Sequence, residues 1–95
     1  MTTVLVHHRV ADYNAWRPEF DRVMKGDLAK QIQSHRVWRG QDDGNVVVVA
    51  TTFDSRQAAD ALMNNPALRE AMGRGGVIES SMRIDFLDEV ASGGH

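Results

Sequence analysis

The chain has 95 residues, 42% apolar and 25% charged, which is enough for one globular domain and too little for two. It has no cysteine, so there is no disulfide framework, no thiolate metal site and no thiol nucleophile. Eleven Lys and Arg against thirteen Asp and Glu give a net charge of −2, and the arginines are scattered, so a nucleic-acid partner is disfavoured.

Val4, Val6, His8 and Val10 alternate with Thr3, Leu5, His7 and Arg9, the period of a strand whose two faces differ. Asp12 suits the cap of a following turn, and Pro18 fits the first position of a main helix, where a missing N–H is harmless. Glu19 and Asp21 then fall in the first turn, and Phe20, Val23, Met24 and Leu28 form the apolar stripe. His35–Arg39 and Asn45–Phe53 read as two strands joined by a Gly40–Gly44 hairpin loop. The run Val46–Ala50 does not alternate, which is expected where both sheet faces are covered.

Asp54 or Ser55 caps a second helix carrying Ala58, Ala59, Leu62 and Met63, and Asn65-Pro66 restarts a short one with Leu68, Ala71 and Met72. Gly73, Gly75 and Gly76 end it. Ile78–Val90 supplies a fourth strand, with Met82, Ile84 and Phe86 on one face and Arg83, Asp85 and Leu87 on the other. Residues 1–91 are expected to form one domain and 92–95 a flexible tail. The longest apolar run is far below the about 20 residues of a membrane span, and the N-terminus lacks the basic flank of a signal peptide. We therefore expect a cytoplasmic protein without a membrane partner.

The resulting order, β-α-β-β-α-β, is the split βαβ arrangement of an α+β ferredoxin-like domain, a four-stranded antiparallel sheet with its helices on one face. The valine run places aliphatic side chains on the other face too, so that face needs a cover. A second copy, packed sheet to sheet as a homodimer, is the simplest one.

Several residues have chemistry to offer. His8 shares a strand face with three valines and is a candidate general base, since imidazole exchanges protons near neutral pH; the competing role is a buried histidine bonded to a backbone carbonyl. Tyr13 and Trp16 can roof a pocket and stack on a flat substrate, or clamp the turn to the sheet. Met24, Met63 and Met72 suit either core filling or an adaptable pocket wall. The sheet facing of His7 and His35 is not legible. His7 and His8 point to opposite faces of a regular strand, so no metal site is expected. The glycines at 73, 75 and 76 follow a helix rather than precede one, which argues against phosphate binding. RNA-recognition domains share the element order, but the strand that would carry stacking aromatics reads Asn45-Val46-Val47-Val48-Val49.

The stretch His8-Arg9-Val10-Ala11-Asp12-Tyr13-Asn14-Ala15-Trp16, with Pro18 and Phe20, resembles the opening of dimeric α/β-barrel proteins related to the antibiotic biosynthesis monooxygenases. Asn65–Met72, Gly76-Val77 and Phe86–Val90 resemble the second helix, glycine turn and last strand of small bacterial members described as cyclases or monooxygenases. The resemblance covers nearly the whole chain. It implies a homodimer whose sheets pair into a barrel, each protomer holding a pocket for a small aromatic or polyketide-like ligand between sheet and helices. It implies oxygenation or cyclisation without a cofactor, or a non-catalytic dimer that binds a hydrophobic metabolite. Polyketide oxygenases of this kind hold an asparagine, a tryptophan and an arginine near the substrate, and haem degraders an asparagine, a histidine and a tryptophan. Neither set is matched here: Trp16 opens the first helix and Trp38 lies on the second strand. The candidate site is therefore His8 as base with Tyr13, Trp16, Met24 and Met63 as substrate-binding walls.

Overall fold

Thr2–Val10 forms the first strand, β1, in the computed structural model of the chain, which describes residues 1–95. It is followed by helix α1 (Tyr13–Met24), a single 3-10 turn (Asp27–Ala29), β2 (Ser34–Arg39), β3 (Val46–Phe53), α2 (Arg56–Met63), α3 (Pro66–Arg74) and β4 (Val77–Leu87). The sheet order is β2-β3-β1-β4 with every neighbouring pair antiparallel. This is the expected ferredoxin-like α+β fold, with the second helical region broken at Asn65-Pro66 as the sequence indicates. Asn65 accepts the Ala67 N–H at 2.9 Å, and proline occupies the first turn of α3, where it displaces no helical hydrogen bond.

The buried face of β1 carries Val4, Val6, His8 and Val10, and that of β3 carries Val47, Val49, Thr51 and Phe53. The valine run thus alternates in its surroundings though not in its chemistry. Val46, Val48 and Ala50 lie half-buried on the side away from the helices. The core has two centres, one of Val4, Val6, Phe53, Ala59, Leu62 and Leu68 and the other of Val10, Trp16, Val47 and Val49.

Several boundaries differ from expectation, and Leu28 falls in the separate 3-10 turn rather than on the stripe of α1, which ends at Met24. Helix α1 starts at Tyr13 rather than near Pro18, which sits in its second turn. Asp12 caps it by accepting the Asn14 N–H at 2.9 Å, and the side chain of Asn45, at the entrance to β3, accepts the Tyr13 N–H at 2.9 Å. Those two caps, with the Asp12 carbonyl accepting from Trp16 at 3.0 Å, offset the one backbone bond that proline forfeits. Glu19 and Asp21 therefore lie beyond the first turn, and Tyr13 and Trp16 are helical residues, not turn residues. Strand β4 ends at Leu87 rather than Val90, because its only neighbour, β1, pairs Thr3 with Leu87 and begins at Thr2. Residues 88–95 form no helix or strand.

The β1–β4 register carries an irregularity that periodicity does not announce. His7 pairs with Arg83 but Arg9 pairs with Ile78, so residues 79–82 loop out opposite His8. Ser81 closes the bulge: its hydroxyl accepts the Arg9 N–H at 2.9 Å and donates to the Ile78 carbonyl at 2.5 Å. Bulges concentrate beside functional residues because they break the ladder locally.

Candidate functional site

A cavity of about 70 Å³ lies between the sheet and the helices. Its floor is Val6 and His8 from β1 with Val49 and Thr51 from β3. Helix α1 contributes Trp16, Glu19, Phe20 and Met24, and the opposite wall is Leu62, Met63, Leu68 and Met72 from α2 and α3. The spacing of Trp16, Glu19, Phe20 and Val23 puts all four on one helical face. The cavity draws residues from both core centres, so it occupies the seam between them.

Trp16 organises the aromatic side. Its ring stacks on Phe20 at 4.8 Å between centroids with a 24° interplanar angle, meets His8 edge-on at 6.0 Å, and lies 5.9 Å from Tyr13. It is 4% exposed. The C-terminal end of α3 closes on the same ring: a side chain at Gly75 would place its first carbon 3.2 Å from Trp16 Cδ1. Gly76 then turns the chain into β4 at φ +80°, a left-handed conformation that suits glycine.

His8 is 2% exposed, and its Nδ1 has no hydrogen-bond partner in the chain. Burial pushes the His8 imidazole below its ordinary value of 6.5, because a desolvated ring resists charge. A contact with its own backbone works in the opposite direction and is outweighed by burial. The ring is therefore neutral at physiological pH, with a lone pair available to accept a proton.

Glu19 is the one charged side chain at the cavity. Arg22 reaches both of its oxygens, at 2.6 and 3.1 Å, and Arg74 from α3 donates at 2.9 Å. Hydrogen bonds from Arg22 and then Arg74 pull its carboxyl down to about 2, so it stays ionised and links α1 to α3 rather than serving as an acid. Both shifts have the same sign for stability. A depressed histidine stabilises the fold fully above 6.5 and less as pH falls through its lowered value; a depressed carboxyl does so above 4.5 and loses it toward about 2. Calorimetric Tm should be flat from pH 8 to 6.5 and decline below it, and His8→Gln should remove the upper part of that decline while leaving the acid limb.

Of the residues singled out from the sequence, His8, Trp16, Met24 and Met63 line one cavity. Tyr13 does not. It stands behind Trp16, its ring under the Arg39 guanidinium at 4.0 Å and its hydroxyl accepting from Arg17 at 3.1 Å. Met72, the third methionine suited to a pocket wall, lines the cavity too, and Phe20, Glu19 and Thr51 join as residues that the sequence does not mark as site residues. Phe20 was detectable from its i+4 spacing to Trp16; Thr51 gave no signal beyond a polar residue after the valine run. His35 pairs with Thr51 on the helix side and stands 5.7 Å from the Phe20 ring, whereas His7 is on the open face. No three His, Asp or Glu side chains gather in a way that would hold a metal ion.

Known structures share this architecture. SnoaB from Streptomyces nogalater, a cofactor-independent oxygenase, superimposes with a TM-score of 0.77 over 96% of this chain and 94% of its own, at 14% identity. A second structure, an antibiotic biosynthesis monooxygenase, gives 0.74 over 96% and 100% at 14% identity. The chain has the fold of the antibiotic biosynthesis monooxygenases. Rv0793 from Mycobacterium tuberculosis has it as well, with a TM-score of 0.68 over 99% and 100% at 14% identity. No family profile and no curated protein matches the chain by sequence. At such identities the likeness is one of backbone, and chemistry has to be argued from the cavity.

Proposed function

We propose that the chain is a cofactor-independent oxygenase or cyclase of a small aromatic, polyketide-like substrate, with His8 as general base. The observation that carries this reading is a neutral, buried imidazole on the floor of an otherwise apolar, aromatic-walled cavity. For oxygenation of an anthrone-like methylene, His8 removes a C–H proton and leaves a carbanion delocalised over the rings. The carbanion passes one electron to dioxygen, the radicals combine to a C–O bond, and the imidazolium proton goes to the distal oxygen of the peroxide. Loss of water turns the hydroperoxide into a carbonyl, so one dioxygen is consumed and one water released per substrate. The rings of Trp16 and Phe20 hold the substrate plane, and Met24 and Met63 adapt to its edge. Oxygen uptake with anthrone tests this: stoichiometric uptake supports oxygenation, and formation of the anthrol tautomer without uptake supports proton transfer by an isomerase or cyclase instead.

A non-catalytic dimer that binds a hydrophobic metabolite is the second reading. It is favoured by the poverty of the lining, where His8 is the one titratable group not already engaged by arginines. Absence of any turnover across anthrones and quinols, with binding retained, decides for it.

The partner in either reading is a second copy, seated on the open sheet face. That face carries Leu5, Val48 and Ala50 at its centre with Trp38, 48% exposed, and Leu87 beside them, a contiguous apolar surface of the kind that marks an interface. Arg83 and Asp85 on its border pair with each other at 3.0 Å within the protomer. Trp38→Arg, on an edge strand where the charge is tolerated by the monomer, should reduce the light-scattering mass from about twice 10.6 kDa to 10.6 kDa and lower Tm at micromolar concentration. A wild-type mass of 10.6 kDa would remove the dimer.

A further inference from the structure

The cavity floor holds a second polar group that the proposed chemistry leaves idle. Thr51 is 5% exposed, lines the cavity, and its hydroxyl has no partner in the chain. A buried hydroxyl without a partner is a net cost to the fold, and valine, already present at 47 and 49 on the same face, would fill the position without it.

Its placement relative to His8 is set by strand register. Thr51 pairs with Val4, and His8 pairs with Val47, so the two polar positions are four residues apart along the strands, about 13 Å at a rise of about 3.3 Å per residue. Between them the floor is Val6 beside Val49. A hydrogen bond of about 2.8 Å at each end leaves about 7 Å between the polar atoms of a bridging ligand, close to the span of the 2- and 6-oxygens of a naphthalene. Charge selection follows from the walls: no Lys or Arg lines the cavity, and the only carboxylate there is held by Arg22 and Arg74. An anion entering would lose its hydration without gaining a counter-charge.

We propose that the cavity takes an uncharged, flat, elongated molecule with a hydrogen-bonding group at each end, one at His8 and one at Thr51, and that Thr51 sets the length of ligand accepted. This rests on the reading of the cavity as a small-molecule site and is independent of turnover. The test is equilibrium binding of three probes of one ring size, naphthalene-2,6-diol, 2-naphthol and 6-hydroxy-2-naphthoate, to wild type, Thr51→Val and Thr51→Ser. For wild type, the diol should bind about 10-fold tighter than 2-naphthol and the carboxylate at least 10-fold weaker than the diol. Thr51→Val should abolish the advantage of the diol, leave 2-naphthol within 2-fold and raise the Tm of the ligand-free protein; Thr51→Ser should keep the advantage. If 2-naphthol binds but the diol binds no better, or if Thr51→Val keeps the preference, the role of Thr51 is overturned and the cavity reading stands. Equal affinity for the carboxylate overturns the charge selection. If none of the three binds, the cavity reading falls and this proposal with it.

Discussion

Replacing His8 with glutamine is expected to lower turnover of an anthrone-type substrate by about 10²–10⁴-fold, the usual contribution of a positioned general base, equivalent to about 3–5 kcal/mol of barrier. Glutamine keeps much of the size and a hydrogen-bonding group, so the loss isolates proton transfer from shape. The wild-type rate should rise with pH through a midpoint below 6.5 to a plateau, because burial lowers the imidazole value and protonation removes the base. The glutamine variant should show no such limb. Stopped-flow absorbance across pH 5–8 with both proteins reads this. An unchanged rate, or the same limb in both, would falsify the assignment of His8 as base.

Replacing Trp16 with alanine should destabilise the fold by about 3–5 kcal/mol, a large part of the about 5–15 kcal/mol that holds a domain of this kind together. The ring is almost fully buried and touches three others, His8, Tyr13 and Phe20. It also fills the space against Gly75 where α3 approaches. Its removal enlarges the existing cavity rather than opening a separate one, so the site is loosened along with the core. Trp16→Phe should recover more than half of the loss, since the stack on Phe20 survives. Urea midpoints at constant slope give the values; a change under about 1 kcal/mol for alanine would show that the second core centre does not depend on this ring.

The two replacements act on different levels. His8 makes little of the structure and is placed by it. The bulge of β4 opposite His8, closed by Ser81, interrupts the ladder beside the one strand position where a polar side chain faces the cavity from β1. Trp16 is at once a core residue and a wall of the cavity, so its effects on activity have to be read against its effects on stability.

The sequence by itself determined the split βαβ order, the facing of His8 with Val4, Val6 and Val10, the open apolar face and the break at Asn65-Pro66. These follow from period and local backbone chemistry, which act over a few residues. Tertiary structure alone decided the rest. Helix α1 begins at Tyr13, where the local cap Asp12 is joined by Asn45, 32 residues away, which accepts the Tyr13 N–H, a second partner no local signal can reveal. Tyr13 faces Arg39 rather than the cavity, Phe20 joins it, and the hydroxyl of Thr51 is left without a partner on the floor. Whether a buried polar atom finds a partner is an outcome of register and packing between distant elements. The physics that made the strands legible is local; the physics that lines the cavity is not.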